Sequence, residues 1–185
     1  GLAGVELLAS GTDTEPVPPE ALIQGVHLSS LGSWLPLVGL GVQDYATGAA
    51  RYAAADSYSQ LVRMRADELR TVARLAPRYA VWHAAYALRD RSFEGEALTA
   101  DVFLPLLAAL VQDVCDEFQP PFCICFENAH GVSLEPGEPS DAAFFLRSLS
   151  GLDVALALDI GHHLNNHREL ATPGAAVREL RRVAC

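Results

Sequence analysis

The chain has 185 residues, half of them hydrophobic and under a fifth charged, so it is globular and long enough for one domain with a sizeable core. Its formal net charge of −10, with all 13 basic residues arginine, argues against nonspecific nucleic-acid binding, which needs a positive field. No apolar run approaches the ~18 residues of a membrane span. The cysteines include no C-x-x-C pair, which excludes the usual zinc and redox motifs and places the chain reduced, in a cytoplasm.

The chain opens Gly1-Leu2-Ala3-Gly4-Val5-Glu6, without an initiator methionine and directly into an apolar run, and this start reads as a cut. In order, the pattern predicts strand 1 at 4–8, strand 2 at 24–28, a helix at 57–76 and strand 3 at 79–83. A helix at 100–117, strand 4 at 122–127, a helix at 140–149 and strand 5 at 153–159 follow. A last helix starts near Pro173, where Thr172-Pro173 supplies an N-cap and a proline at the first helical position. Ser140-Asp141 reads as the cap and acidic first turn of the helix before it. In the helix after Asp56, Leu61, Met64, Leu69, Val72 and Leu75 form an apolar stripe opposite Arg63, Asp67, Arg70 and Arg74. The proline-rich segment 10–20 has no helix of normal length.

Short buried strands alternating with helices predict a parallel α/β sheet with right-handed crossovers. A doubly wound nucleotide-binding sheet would carry a glycine-rich phosphate turn after an early strand, and none is present. A (β/α) barrel is the expectation. A full barrel needs eight units and typically ~250 residues, so about five units in one partial domain, residues 1–185, predict an incomplete (β/α)8 TIM barrel, a fragment.

Each strand ends in a residue that can bind a metal or move a proton: Glu6, His27, His83, Glu127 and Asp159, the last followed by Gly161 and His162. In parallel α/β folds the reactive groups gather at the carboxyl ends of the strands. Residues two apart share a face of a strand. The polar ends are therefore in phase with small residues (Gly4, Gly25, Cys123, Cys125, Ala155, Ala157), and the bulky Val26, Trp82, Ile124, Phe126 and Leu156 are out of phase. A closed barrel has this pattern when small side chains fill the interior and large ones meet the helices.

A carboxylate and a neutral imidazole around Asp159-Ile160-Gly161-His162 suit Mn, Fe, Zn or Co. The competing reading is an aspartate that caps the next turn beside an exposed histidine. Glu127, after five apolar residues, is a candidate metal ligand and proton-transfer base, or else a buried carboxylate paired with an arginine. His27 and His83 are candidate ligands by position and phase. Glu6 is a candidate substrate contact, or a partner of an arginine near the barrel mouth. Trp34 could wall a pocket or pack under its own loop, and Asn128 and Asn165 could bond a ligand, orient one, or serve as turn residues. His130, His163 and His167 are assigned mostly to solvent.

Phe126-Glu127-Asn128 and Leu158-Asp159-Ile160-Gly161-His162, with Gly25-Val26-His27 and Val81-Trp82-His83, resemble the xylose-isomerase-like barrel superfamily of sugar (phosphate) isomerases, epimerases and apurinic-site endonucleases. The isomerase branch implies that Glu127 is metal ligand and acid/base, Asp159 a second ligand and His162 a contact to substrate hydroxyls. The endonuclease branch implies that His27, His83, Glu127, Asp159 and His162 all fall on a metal cluster. Either branch implies further ligands from strands 6 to 8. The expected function is a metal-dependent (Mn, Zn, Fe, Co or Mg) sugar or sugar-phosphate isomerase or epimerase that transfers a proton next to a carbonyl. Its partner is a small sugar, without nucleic acid or membrane, in a chain open to homo-oligomerisation. Abasic-DNA phosphodiesterase activity and a barrel without chemistry are the alternatives.

Overall fold

The computed structural model describes residues 4–8, 19, 22–29, 34, 37, 55–83, 99–128, 139–166, 170 and 172–183. Its elements are β1 (Val5–Leu8), β2 (Ile23–His27), α1 (Tyr58–Ala73), β3 (Tyr79–His83), α2 (Ala100–Glu117), β4 (Cys123–Glu127), α3 (Pro139–Ser148), β5 (Val154–Ala157), α4 (Ile160–Asn166) and α5 (Pro173–Val183). Most of segment 10–20, with His130 and His167, lies outside the described residues, as does the side chain of Asn165.

The five strands pair in the order β1-β2-β3-β4-β5, and every pair is parallel. Each strand thus lies beside the next in sequence. With right-handed crossovers, that order keeps all the connecting helices on one face, whereas a doubly wound sheet reverses direction. The helix layer is continuous, α1 against α2 and α2 against α3. This is the wall of a partial (β/α)8 barrel. Among the described residues β1 and β5 are its two edges.

The helices form for local reasons. Ser57 caps α1 by accepting from the Gln60 amide, and the Gln60 side chain accepts from the Asp56 amide in return. Thr172 caps α5 in the same way, accepting from the Ala175 amide. Ser140 does not cap α3, which already begins at Pro139. The buried face of α1 is Leu61, Val62, Arg65, Ala66, Leu69 and Val72, so the apolar stripe holds a fully covered arginine that hydropathy alone does not reveal.

The core lies between the helices and the outer face of the sheet. Val26, Trp82, Ile124 and Phe126 are each at most 1% exposed there, beneath Phe103, Leu107, Val111 and Phe145. Phe126 meets Phe145 edge-on at 5.0 Å and Trp82 at 5.5 Å. The out-of-phase residues therefore face the helices, except at the edge, where Leu156 remains 37% exposed.

The inner face is where glycine matters. β1 runs on to Leu8, so Glu6 pairs with Gly25 in mid-sheet and Leu8 stands opposite His27. Glu6 is therefore not a strand-end residue. Tyr79 lies across Gly25 and donates its hydroxyl to Glu6 at 2.9 Å. A Cβ at position 25 would come within 2.3 Å of the Tyr79 ring. Gly25→Ala is expected to push the ring aside, break the bond to Glu6 and cost about 1–3 kcal/mol. A urea-denaturation midpoint matching wild type would show that the ring yields without cost.

Candidate metal centre

Glu127 ends β4 and is 6% exposed. Its neighbours follow from sheet register. His83 ends β3 directly opposite it, and His27 ends β2 opposite Val81, one step lower on the same face. Both imidazoles reach one carboxylate oxygen. His27 Nε2 lies 2.9 Å from Glu127 Oε2 and His83 Nε2 lies 3.2 Å from it. The two rings are 4.6 Å apart. His83 Nδ1 is buried without a hydrogen-bond partner among the described residues.

The other oxygen faces β5 and α4. Strand pairing ends at Glu127–Ala157, so Asp159 sits two residues past β5 rather than on it. A seven-residue helix, α4, starts at the next residue, where the sequence suggested only a turn. Asp159 caps that helix. Its Oδ1 accepts from the His162 amide at 2.7 Å, and its carbonyl accepts from the His163 amide at 3.0 Å. The capping alternative is thus realised, yet the same residue also borders the centre. His162 Nδ1 lies 3.5 Å from Glu127 Oε1 and 3.9 Å from Asp159 Oδ2.

The result is two overlapping donor groups, His27–His83–Glu127 and Glu127–Asp159–His162, each with ligand atoms within 4.8 Å of one another. Glu127 belongs to both. Burial pushes its pKa up, but a hydrogen bond and the charge of His83, with a hydrogen bond from His27, outweigh this and bring it down to about 2. The carboxylate is ionised at neutral pH. Imidazole nitrogens around a shared carboxylate are a chemically apt set for a borderline divalent ion.

Other candidates fall elsewhere. Trp34 is 4% exposed and stacks on Phe103 of α2 at 6.0 Å, so it packs in the core. Glu6 takes the Tyr79 hydroxyl and belongs to neither donor group. Asn128, 2% exposed, spends its side chain on the backbone of Asp159, donating to its carbonyl and accepting from its amide. Cys123 and Cys125 point the same way, with sulfurs 4.0 Å apart. Burial pushes both thiols up, Cys123 to about 12, so neither is an activated nucleophile.

Two features escaped the sequence. His163, expected in solvent, is fully buried, with Nε2 3.3 Å from Glu179 of α5. Adjacent histidines on a short helix face different ways, and hydropathy cannot say which faces inward. The second is Arg65, which donates to the Ser29 carbonyl and to Glu68, while Glu68 accepts from the Ser29 amide. This clamp fixes the chain two residues after His27. Its only sequence signal is the i,i+3 spacing of Arg65 and Glu68.

A wall of parallel strands with histidines and carboxylates gathered at their carboxyl ends defines a barrel-type protein with a candidate metal centre. No protein-family model matches the chain, and no curated protein matches it. It is similar to a crystal structure of D-psicose 3-epimerase in the presence of D-fructose, at 17% sequence identity and a TM-score of 0.47. The match covers 85% of this chain and 49% of that one, so the chain spans about half the length of that protein.

Proposed function

We propose that this chain carries the metal centre of a sugar or sugar-phosphate isomerase or epimerase, in a single partial domain of the xylose-isomerase-like superfamily. One observation carries the reading: donors from the ends of β2, β3, β4 and the segment after β5 converge on Glu127. Glu127, Asp159 and the histidines would hold a divalent ion. Such an ion supplies Lewis-acid polarisation of a substrate oxygen and stabilises charge beside it.

The chain's own residues do the rest. Glu127 is ionised, the state in which a carboxylate accepts a proton from the carbon next to a carbonyl. His162 contacts substrate hydroxyls from the other side of Glu127. Asp159 is a ligand only, with one oxygen already committed to α4.

A second reading has its own support. Two donor groups that share one carboxylate suit a pair of bridged ions, the arrangement used for in-line phosphodiester displacement. That favours cleavage of abasic DNA, against which the net charge of −10 weighs. Metal counting separates the readings. Native mass spectrometry with Mn²⁺ or Zn²⁺ is expected to give one bound ion per chain for the isomerase. Two ions, with cleavage of abasic DNA and no isotope exchange at a sugar carbon, would replace the first reading with the second. No ion at any concentration would remove both in favour of a barrel without this chemistry.

A further inference from the structure

We propose that Asn128 is a positioning residue that sets Asp159 and His162 before any ion or substrate arrives, through a closed circuit of hydrogen bonds. Its functional consequence rests on the metal-centre reading above, but the circuit stands on geometry alone.

The circuit begins where the sheet stops. The β4–β5 ladder ends at Glu127–Ala157, and Asn128 is the next residue. Its side chain then replaces the missing ladder bonds. Nδ2 donates to the Asp159 carbonyl at 3.0 Å, and Oδ1 accepts from the Asp159 amide at 2.7 Å. An amide serves a donor and an acceptor at once from two separate atoms, which matches the paired Asp159 carbonyl and amide, and Gln would be one carbon longer. Asp159 passes the constraint on, since its Oδ1 accepts from the His162 amide. His162 closes the loop, its Nδ1 donating to the Asn128 backbone carbonyl at 2.8 Å.

Two consequences follow. Asp159 Oδ1 is engaged, which turns Oδ2 toward the centre and makes Asp159 a one-oxygen donor. A ring nitrogen bonded to a carbonyl must carry the proton, so His162 holds the Nδ1–H tautomer and Nε2 bears the lone pair. The backbone carbonyl of residue 128 thereby selects which His162 nitrogen can act, while the Asn128 side chain fixes Asp159. Partners that orient ligands in this way are typically worth about 10–100-fold in metal affinity.

The test uses two readouts on this chain. A two-bond proton–nitrogen spectrum of the metal-free protein, with His162 assigned by His162→Gln, is expected to show the Nδ1–H tautomer. Asn128→Ala keeps the backbone carbonyl that bonds His162, so it is expected to leave the tautomer in place and to weaken Mn²⁺ binding about 10–100-fold in calorimetry through the loosened Asp159. Val114→Ala, at a fully buried α2 position remote from the centre, gives the comparison for general destabilisation and is expected to leave both readouts in place. Should the alanine variant not fold, Asn128→Asp keeps the acceptor for the Asp159 amide, loses the donor, and is expected to show a smaller loss of Mn²⁺ affinity. An Nε2–H tautomer in wild type overturns the proposal without any variant. So does a folded Asn128→Ala variant with Mn²⁺ affinity unchanged, or a Val114→Ala variant that loses Mn²⁺ affinity as strongly. If wild type shows the Nδ1–H tautomer but binds no Mn²⁺, the circuit stands and the metal-centre reading falls.

Discussion

Glu127→Gln is expected to remove at least ~10²–10⁴-fold of turnover, the range for losing general acid–base catalysis, while the fold persists. The reason lies in the geometry. Both imidazoles bond the same oxygen, Oε2, and a glutamine can still turn its carbonyl oxygen toward them. Volume and buried hydrogen bonds are therefore kept. The charge shared by both donor groups and the proton acceptor are lost together. Asp159→Asn differs because asparagine keeps an oxygen for the His162 amide and so preserves the α4 cap. Its loss is expected to act through weaker metal binding and to be partly rescued by excess divalent ion. The assay is isotope exchange at the sugar carbon next to the carbonyl, in a form of the protein that turns over. Unchanged exchange in Glu127→Gln would remove Glu127 as the base.

Arg65→Met is expected to be among the most destabilising single changes, at about 3–5 kcal/mol, the cost of breaking a buried ion pair from one side. Arg65 is 4% exposed, lies 5.0 Å over the Trp82 ring and joins α1 to the segment after β2 through Ser29 and Glu68. Methionine fills the space but strands the Glu68 carboxylate and the Ser29 carbonyl. Arg70→Ala makes the contrast. Arg70 pairs with an Asp67 whose side chain is 71% exposed, and losing such a surface pair is worth under ~1 kcal/mol. Guanidinium unfolding of both variants checks the order, and equal midpoints would show that the Arg65 clamp contributes no more than a surface pair. Because the clamp sits two residues from His27, Arg65→Met is also expected to loosen the His27–Glu127 bond.

Much of this was legible because strands and helices declare themselves locally. The ends of α2 and β3 coincide with the apolar patterning, since a buried strand or helix must be apolar along its covered face. The alternation along β4 separated Cys123, Cys125 and Glu127 from Ile124 and Phe126 before any fold was known. Errors arose where one residue of register changes the answer. Glu6 reads as the polar end of the run Gly4-Val5-Glu6 although the strand is expected over 4–8, and pairing does carry β1 on to Leu8, two residues past Glu6. For Trp34 the sequence leaves packing and a pocket wall both open, because nothing local shows Phe103 beside it.

The sequence by itself determined the alternation of elements and the set of residues able to bind a metal, because both depend on residue type and spacing along the chain. Only the tertiary structure decided which of those residues meet. Parallel register set His83 opposite Glu127 and brought His27 to the same oxygen from a strand 100 residues away in sequence. It also split the roles of neighbours that look alike in the chain. His162 borders the centre while His163 is buried against α5, and Asn128 holds the backbone of Asp159. The physical reason is that direction in space comes from pairing and packing between distant segments, and no local pattern of hydropathy or charge encodes it.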